Sequence, residues 1–316
     1  MTASPDTPSV GGPAQVRGPA RGTRLRRAAA RATPLFLLAP ALALLAWLMV
    51  FPAADAVRLA FTDWDGFSDP KWIGLDNFKD LLSDDRFTQA LTHNLIIIAV
   101  LPIWIAVPYS LAWGLHRKIP GWRFFRFAFF LPVVLSPVVI GVYYGMFLDP
   151  NGPFNGLLRA IGLGGLAREW TNEPGIALPV VIVIVIWWTL GIGVLIFLSA
   201  LSNLDGELED AARVDGASRW QIQRHVIFWQ MRPVIQFWAI IIVILSFTSF
   251  FPLIYTLTEG GPGFATATVD FYLYQEAFDN GNLGYASAVA VALVVVIGSV
   301  SGLAVALLRG RRKAIR

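Results

Sequence analysis

The sequence predicts an all-α integral membrane protein, a bundle of six transmembrane helices with a helix-Gly-helix loop on its cytoplasmic side. Apolar residues make up 56% of the chain, only 15% are charged and mean hydropathy is +0.60, far from the usage of a soluble domain. Six windows, residues 34–54, 95–115, 127–148, 176–201, 234–258 and 285–308, contain no Asp, Glu, Lys or Arg. Each is long enough to cross about 30 Å of hydrocarbon at about 1.5 Å per residue. None alternates apolar and polar positions as the strands of a membrane barrel do, so helices are the form that satisfies the backbone in lipid.

Residues 1–33 are rich in Pro, Gly, Ala and Arg without apolar periodicity and read as a disordered basic cytoplasmic tail. The first window follows this Arg-rich stretch and ends near Ala54-Asp55-Ala56, as a signal peptide would. Its run of about 18 or more apolar residues exceeds the 7 to 15 of a typical signal core, so it is read as the first span. The membrane domain then occupies 34–308, and 309–316 form a second basic tail. Prolines at 132, 137 and 252 fall inside the third and fifth windows, where they either kink a helix to shape a gate or sit where neighbours repair the lost hydrogen bonds.

Charge sets the orientation. With the amino terminus and the even-numbered loops on one side, that side holds 19 of the 25 Lys and Arg residues. The positive-inside rule makes it cytoplasmic, with both termini there. The formal charge of +4 and the pI of 9.6 are then a topology signal, and no nucleic-acid partner is needed to explain them.

The chemistry of enzymes is missing. His93, His116 and His225 are the only histidines, Cys is absent and no HExxH pattern exists, so neither a metal site nor a disulfide framework is expected. No glycine-rich loop ends in Gly-Lys-Ser/Thr and no GxSxG occurs, so the chain does not hydrolyse ATP by the usual phosphate-cradling mechanism. The spans carry no acidic or histidine relay of the kind that proton-coupled carriers use. Uncharged polar and aromatic residues do occur there: Trp187, Trp188 and Thr189 in the fourth window, Ser246, Thr248, Ser249 and Tyr255 in the fifth. They suit a pathway for a neutral polar solute; equally, Trp and Tyr anchor span ends and Ser or Thr bonds its own backbone.

The one long polar stretch between apolar spans is 202–233. Ser202 or Asp205 is placed to cap a short helix whose first turn gathers acids at the positive end of the dipole, and Gly216 ends it. Ser218 with Gln221 fits a capping box opening a second helix, on which Trp220, Arg224 and Ile227 follow at helical spacing. Ala211 and Ala212 would allow close approach to a partner groove, although an ordinary amphipathic connector has the same pattern.

The stretch Leu208-Glu209-Asp210-Ala211-Ala212-Arg213-Val214-Asp215-Gly216-Ala217-Ser218-Arg219-Trp220 resembles the EAA loop of bacterial ABC importer permeases, above all the carbohydrate-uptake group. Phe61-Thr62-Asp63-Trp64, Gly74-Leu75-Asp76-Asn77-Phe78 and Glu259-Gly260-Gly261-Pro262-Gly263 before Phe271-Tyr272-Leu273-Tyr274 fit the same group. The resemblance implies a type I importer permease in the bacterial cytoplasmic membrane. It implies a second permease, two ATP-binding subunits that bind ATP and Mg, an extracytoplasmic solute-binding protein and a sugar-like substrate, with no cofactor on this chain. It places ATPase coupling on Glu209, Asp210, Ala211, Ala212, Arg213, Asp215, Gly216 and Ala217. Two departures stand out: Asp210 replaces the family's glutamate, and Phe228-Trp229 replaces its Leu-Pro, so that the second loop helix is expected to continue to Met231 with Pro233 as boundary. The competing readings are a secondary carrier or channel for a neutral polar solute and a membrane-embedded enzyme.

Overall fold

The structure is a computed structural model that describes residues 38–204 and 206–309. The terminal stretches expected as tails, apart from Arg309, and Asp205 with its expected capping role lie outside the described residues. The chain divides at Asp55 into two units. The described part of the first belongs to helix α1 (Leu38–Leu59), which continues into the second and is long and apolar enough to cross a bilayer.

In the second unit, strands β1 (Thr62–Asp63) and β2 (Lys71–Trp72) pair antiparallel with Thr62 opposite Trp72. The turn between them is held by Asp65, whose carboxylate accepts the amides of Ser68 and Phe67 and the Ser68 hydroxyl. These bonds favour the ionised form and lower its pKa to about 2. Asn77, on α2 (Asp76–Ser83), donates to the carbonyls of Ala60 and Thr62 at 3.0 and 2.9 Å, which ties α2 to the hairpin.

Helix α3 (Asp85–His116) begins ten residues before the apolar window, because Asp84 caps it there by accepting the amides of Arg86 and Phe87 at 2.8 and 3.3 Å. The third window is not one straight helix. It divides into α4 (Trp122–Phe130), a 3₁₀ turn (Leu131–Val134) and α5 (Pro137–Phe147), and its two arms meet at 101°. Pro132 and Pro137 bracket the break, and Leu135 and Ser136 lie between the arms in extended conformation, ψ 136° and 140°, which for Ser136 is what a residue before a proline prefers.

After α6 (Pro153–Ala160) comes α7 (Pro174–Ser202), the fourth apolar helix. The loop helices α8 (Gly206–Val214) and α9 (Arg219–Gln230) follow, and α10 (Arg232–Thr248) leaves α9 at 63°. The fifth window also divides, since α10 stops at Thr248 and α11 (Phe251–Leu257) restarts with Pro252 in its first turn. Short α12 (Val269–Tyr274) and long α13 (Leu283–Arg309) complete the chain. Among the described residues four helices are long and apolar enough to span a membrane, and six spans result when each bent pair counts as one.

The core sits where α3, α7 and α10 meet. Trp104 and Trp238 are fully buried there, Trp104 Nε1 donating to Thr189 Oγ1 at 2.7 Å and Trp238 Nε1 donating to the Trp104 carbonyl at 3.0 Å. Gly193 permits the close approach: a Cβ at that position would stand 2.9 Å from Pro108 and 3.0 Å from Trp238. Towards the other end of α10, Asn94 donates to the Ser246 carbonyl at 2.5 Å and accepts the Val269 amide at 2.9 Å. His93 Nδ1 lies 2.8 Å from the Ala267 carbonyl. Polar contacts of this kind knit helices that the hydrophobic effect does not drive together in lipid.

Candidate coupling loop and pathway

The loop begins where α7 stops. Ser202 does not cap the next helix; its hydroxyl donates back to the Leu198 carbonyl at 2.8 Å within α7. Helix α8 starts at Gly206, and Glu207 and Glu209 occupy its first turn, where the dipole favours negative charge. Arg213 donates to Glu209 at 2.5 Å and to Asp210 at 3.0 Å, the i,i+4 and i,i+3 partners on the same helix. The two acids differ in setting. Glu209 is the more covered and also faces Arg117, just past the end of α3, at 3.9 Å, whereas Asp210 is 72% exposed.

The end of α8 is a Schellman turn. The Gly216 amide donates to the Arg213 carbonyl and the Ala217 amide to the Ala212 carbonyl, both at 3.0 Å, with Gly216 at φ +80°. A Cβ on Gly216 would meet nothing within 4 Å, so the demand for glycine there is one of backbone conformation alone. Ser218 then caps α9 through the full box, its Oγ accepting from the Gln221 amide at 3.4 Å and its amide donating to Gln221 Oε1 at 2.7 Å. The second helix does reach Gln230 and breaks at Met231 before Pro233, but a π-helical stretch, Gln223–Ile227, interrupts its α geometry. In that stretch Gln223 Nε2 donates to the Tyr109 hydroxyl at 2.6 Å, giving the loop a second tie to α3.

The alanines divide their duties. Ala212 and Ala217 pack against the main core, while Ala211 is exposed. Leu208, Ala211 and Val214 recur every three residues on the exposed side of α8, Val214 being 88% exposed, and Asp210 and Asp215 are exposed as well. This side presents a small apolar stripe edged by acids, and the opposite side is fastened to the bundle.

The candidate pathway residues lie in separate settings. Trp187 packs edge-on against Tyr144 of α5, with ring centroids 5.5 Å apart, and Trp188 is half-buried against the core. Ser246 is fully buried and its hydroxyl donates to the Val243 carbonyl at 2.8 Å. Thr248 donates to the Ile244 carbonyl at 2.9 Å, and its hydroxyl lies 3.3 Å from that of Ser249. Tyr255 is 45% exposed and stands in an aromatic row with Phe251 and Tyr274, at 5.5 and 5.6 Å. Arg117, Tyr109 and Gln223, which fix the loop to the bundle, were not legible as site residues; the only local sign was basic and aromatic residues closing the second span.

The family described as binding-protein-dependent transport system inner membrane component matches residues 96–313. The chain is similar to the probable ABC transporter permease protein YurN of Bacillus subtilis, 35% identical over 83% of this chain and 91% of that one. It is similar also to the diacetylchitobiose uptake system permease protein NgcF of Streptomyces coelicolor, 31% identical over 83% and 78% of the two chains. The multiple sugar-binding transport system permease protein MsmF of Streptococcus mutans is 30% identical over 86% and 93%. The fold of the chain described here matches, with a TM-score of 0.78 and 22% identity over 93% of this chain and all of the other, a chain in the crystal structure of a bacterial ABC transporter involved in the import of the acidic polysaccharide alginate. The chain thus belongs to the family of binding-protein-dependent transport system inner membrane components, and it is a multi-pass permease subunit of an ABC importer.

Proposed function

We propose that this permease forms, with a second permease, the pathway of an ATP-driven importer for a sugar or related polar solute, worked through the 206–216 loop element. Two ATP-binding subunits on the cytoplasmic side hold ATP and Mg, and an extracytoplasmic solute-binding protein delivers the solute. Both termini and the loop are cytoplasmic in this reading, in line with the excess of Lys and Arg on that side. The observation that carries it is the loop itself: a helix closed by a Schellman turn, tied to α3 through Arg117 and Tyr109, with Leu208, Ala211 and Val214 turned outward. Relatives named for diacetylchitobiose and multiple-sugar uptake support the sugar class.

ATP closes the partner dimer, the loop element is carried with it as a rigid body, and the bundle rocks between inward- and outward-facing states. The ATPase must bind the loop differently in the two states, since equal affinity shifts nothing. Uncharged hydroxyls and rings such as Thr248, Ser249, Tyr255, Trp187 and Trp188 suit the passage of a neutral polar solute without a proton relay. The test is reconstitution of the complete complex in proteoliposomes, where solute-loaded binding protein should stimulate both ATP hydrolysis and uptake. Uptake by this chain alone, without an ATPase, would replace the reading with a secondary carrier.

A further inference from the structure

A groove of about 1230 Å³ opens between α3, α9, α10 and α13, apart from the stripe on α8. Its walls are hydrocarbon, from Ile98, Leu101, Ile105, Ile235, Val300 and Leu303. Its loop-side rim is of another kind, since Arg117, Arg219 and Arg224 line it and no Asp or Glu does. Among the described residues Arg219 and Arg224 have no ion-pair partner, and Arg117 lies over the Trp113 ring at 4.5 Å and 3.9 Å from Glu209. Trp113 and Trp220 also line the rim, where amphipathic rings sit at a headgroup boundary.

A second observation asks for a donor. Gln223 lines the same groove and is only 8% exposed; its Nε2 is used by the Tyr109 hydroxyl, but its Oε1 has no hydrogen-bond partner. A buried acceptor without a donor is rare in folded proteins. The groove therefore combines apolar length for an acyl chain, guanidinium groups for a phosphodiester and an acceptor for a headgroup hydroxyl.

We propose that this groove is a binding site for an anionic phospholipid of the phosphatidylglycerol kind, its phosphate at Arg219, Arg224 and Arg117 and a glycerol hydroxyl donating to Gln223. Basic pockets between membrane helices at the cytoplasmic surface recognise anionic headgroups in this manner. A free phosphate would leave the apolar walls bare, which commits the site to a lipid. Because Arg117 touches both the groove and Glu209, occupancy also bears on coupling; that consequence rests on the transporter reading above, whereas the binding itself does not.

The test is native mass spectrometry of the complete transporter purified in detergent with equal phosphatidylglycerol and phosphatidylcholine added. The intact protein should retain phosphatidylglycerol preferentially, one site per copy of this chain. The double substitution Arg219→Gln/Arg224→Gln should weaken retention by about 25-fold, at about fivefold for each surface charge removed. Arg219→Lys/Arg224→Lys should keep it, and Ala106→Trp, which fills the groove and leaves every charge in place, should abolish it. Equal retention of the two lipids, an unaltered occupancy in the double Gln variant, or cross-linking of an Ala106→Cys groove to a helix of the second permease overturns the proposal. Selective retention without a co-purifying ATPase would uphold the lipid site while contradicting the transporter reading.

Discussion

Glu209 of the loop helix faces Arg117 at the end of the second span across 3.9 Å, and holds Arg213 of its own helix at 2.5 Å. One carboxylate thus links the loop helix to a helix of the bundle, and its neighbour Asp210 is left to the exposed side.

Removing that link should uncouple more than it unfolds. For Glu209→Gln the loss of stability is expected to stay within about 1 kcal/mol, because the partners are partly exposed. Transport per ATP hydrolysed should fall severalfold. Asp210→Asn should leave the melting temperature of the permease unaltered and instead lower recovery of the ATPase subunit in a pull-down.

Gly216 is held at φ +80° with open space around its Cβ position, so Gly216→Ala should cost about 1 to 2 kcal/mol of loop stability through the left-handed backbone alone. It should retain partial coupling. Asn, which tolerates that conformation better, should do less harm, and uptake measured across the Gly, Asn, Ala series should fall in that order.

Trp104 and Thr189 meet in the fully buried core. Thr189→Val keeps the shape but strips the indole of its acceptor, at a cost of about 1 to 3 kcal/mol, whereas Thr189→Ser should cost less. Detergent-denaturation midpoints of the two variants separate the hydroxyl from the methyl.

Asp84 accepts the hydroxyls of Tyr272 and Tyr285 as well as the two capping amides. Burial pushes its pKa up, but these four hydrogen bonds outweigh it and hold the carboxyl below its ordinary 3.8. Folding therefore favours the ionised form. Its contribution is complete above the unfolded value of 3.8 and is lost as pH falls through the lower folded value. Asp84→Asn should remove this acid-limb dependence from the melting temperature measured between about pH 5 and pH 2.

Substitution in the pathway should separate transport from assembly. Tyr255→Ala, in the partly exposed aromatic row, is expected to reduce uptake by tenfold or so, the size of an effect of about 1.4 kcal/mol, with ATPase recovery unchanged.

The helical membrane class and the positions of the spans were legible because uncharged windows leave few alternatives in lipid. Two windows hid breaks. Pro132 and Pro137 allowed either a kink or a repaired helix, and only the packing of the arms settles on a 101° bend. The second helix extends back to Asp85 because Asp84 caps it, a local signal outside the apolar window. Asn94, one residue before that window, bonds across to Ser246 and Val269, contacts over 150 residues away in sequence. In the loop, the Ser218 capping box and the Gly216 stop were written locally. Which alanine faces inward, and that Arg117 meets Glu209, depend on how α8 lies on the bundle, which no local pattern encodes.

Transmission of ATP-driven motion by the 206–216 element is tested by Gly216→Pro, since proline removes both the left-handed conformation and the amide that reaches Arg213. The measurement is ATP hydrolysis stimulated by solute-loaded binding protein in the purified complex, beside recovery of the ATPase subunit. The intact chain should bring down an ATPase whose activity rises with the loaded binding protein, and the variant should retain much of the subunit yet lose the rise. Full stimulation and uptake in Gly216→Pro would contradict the account.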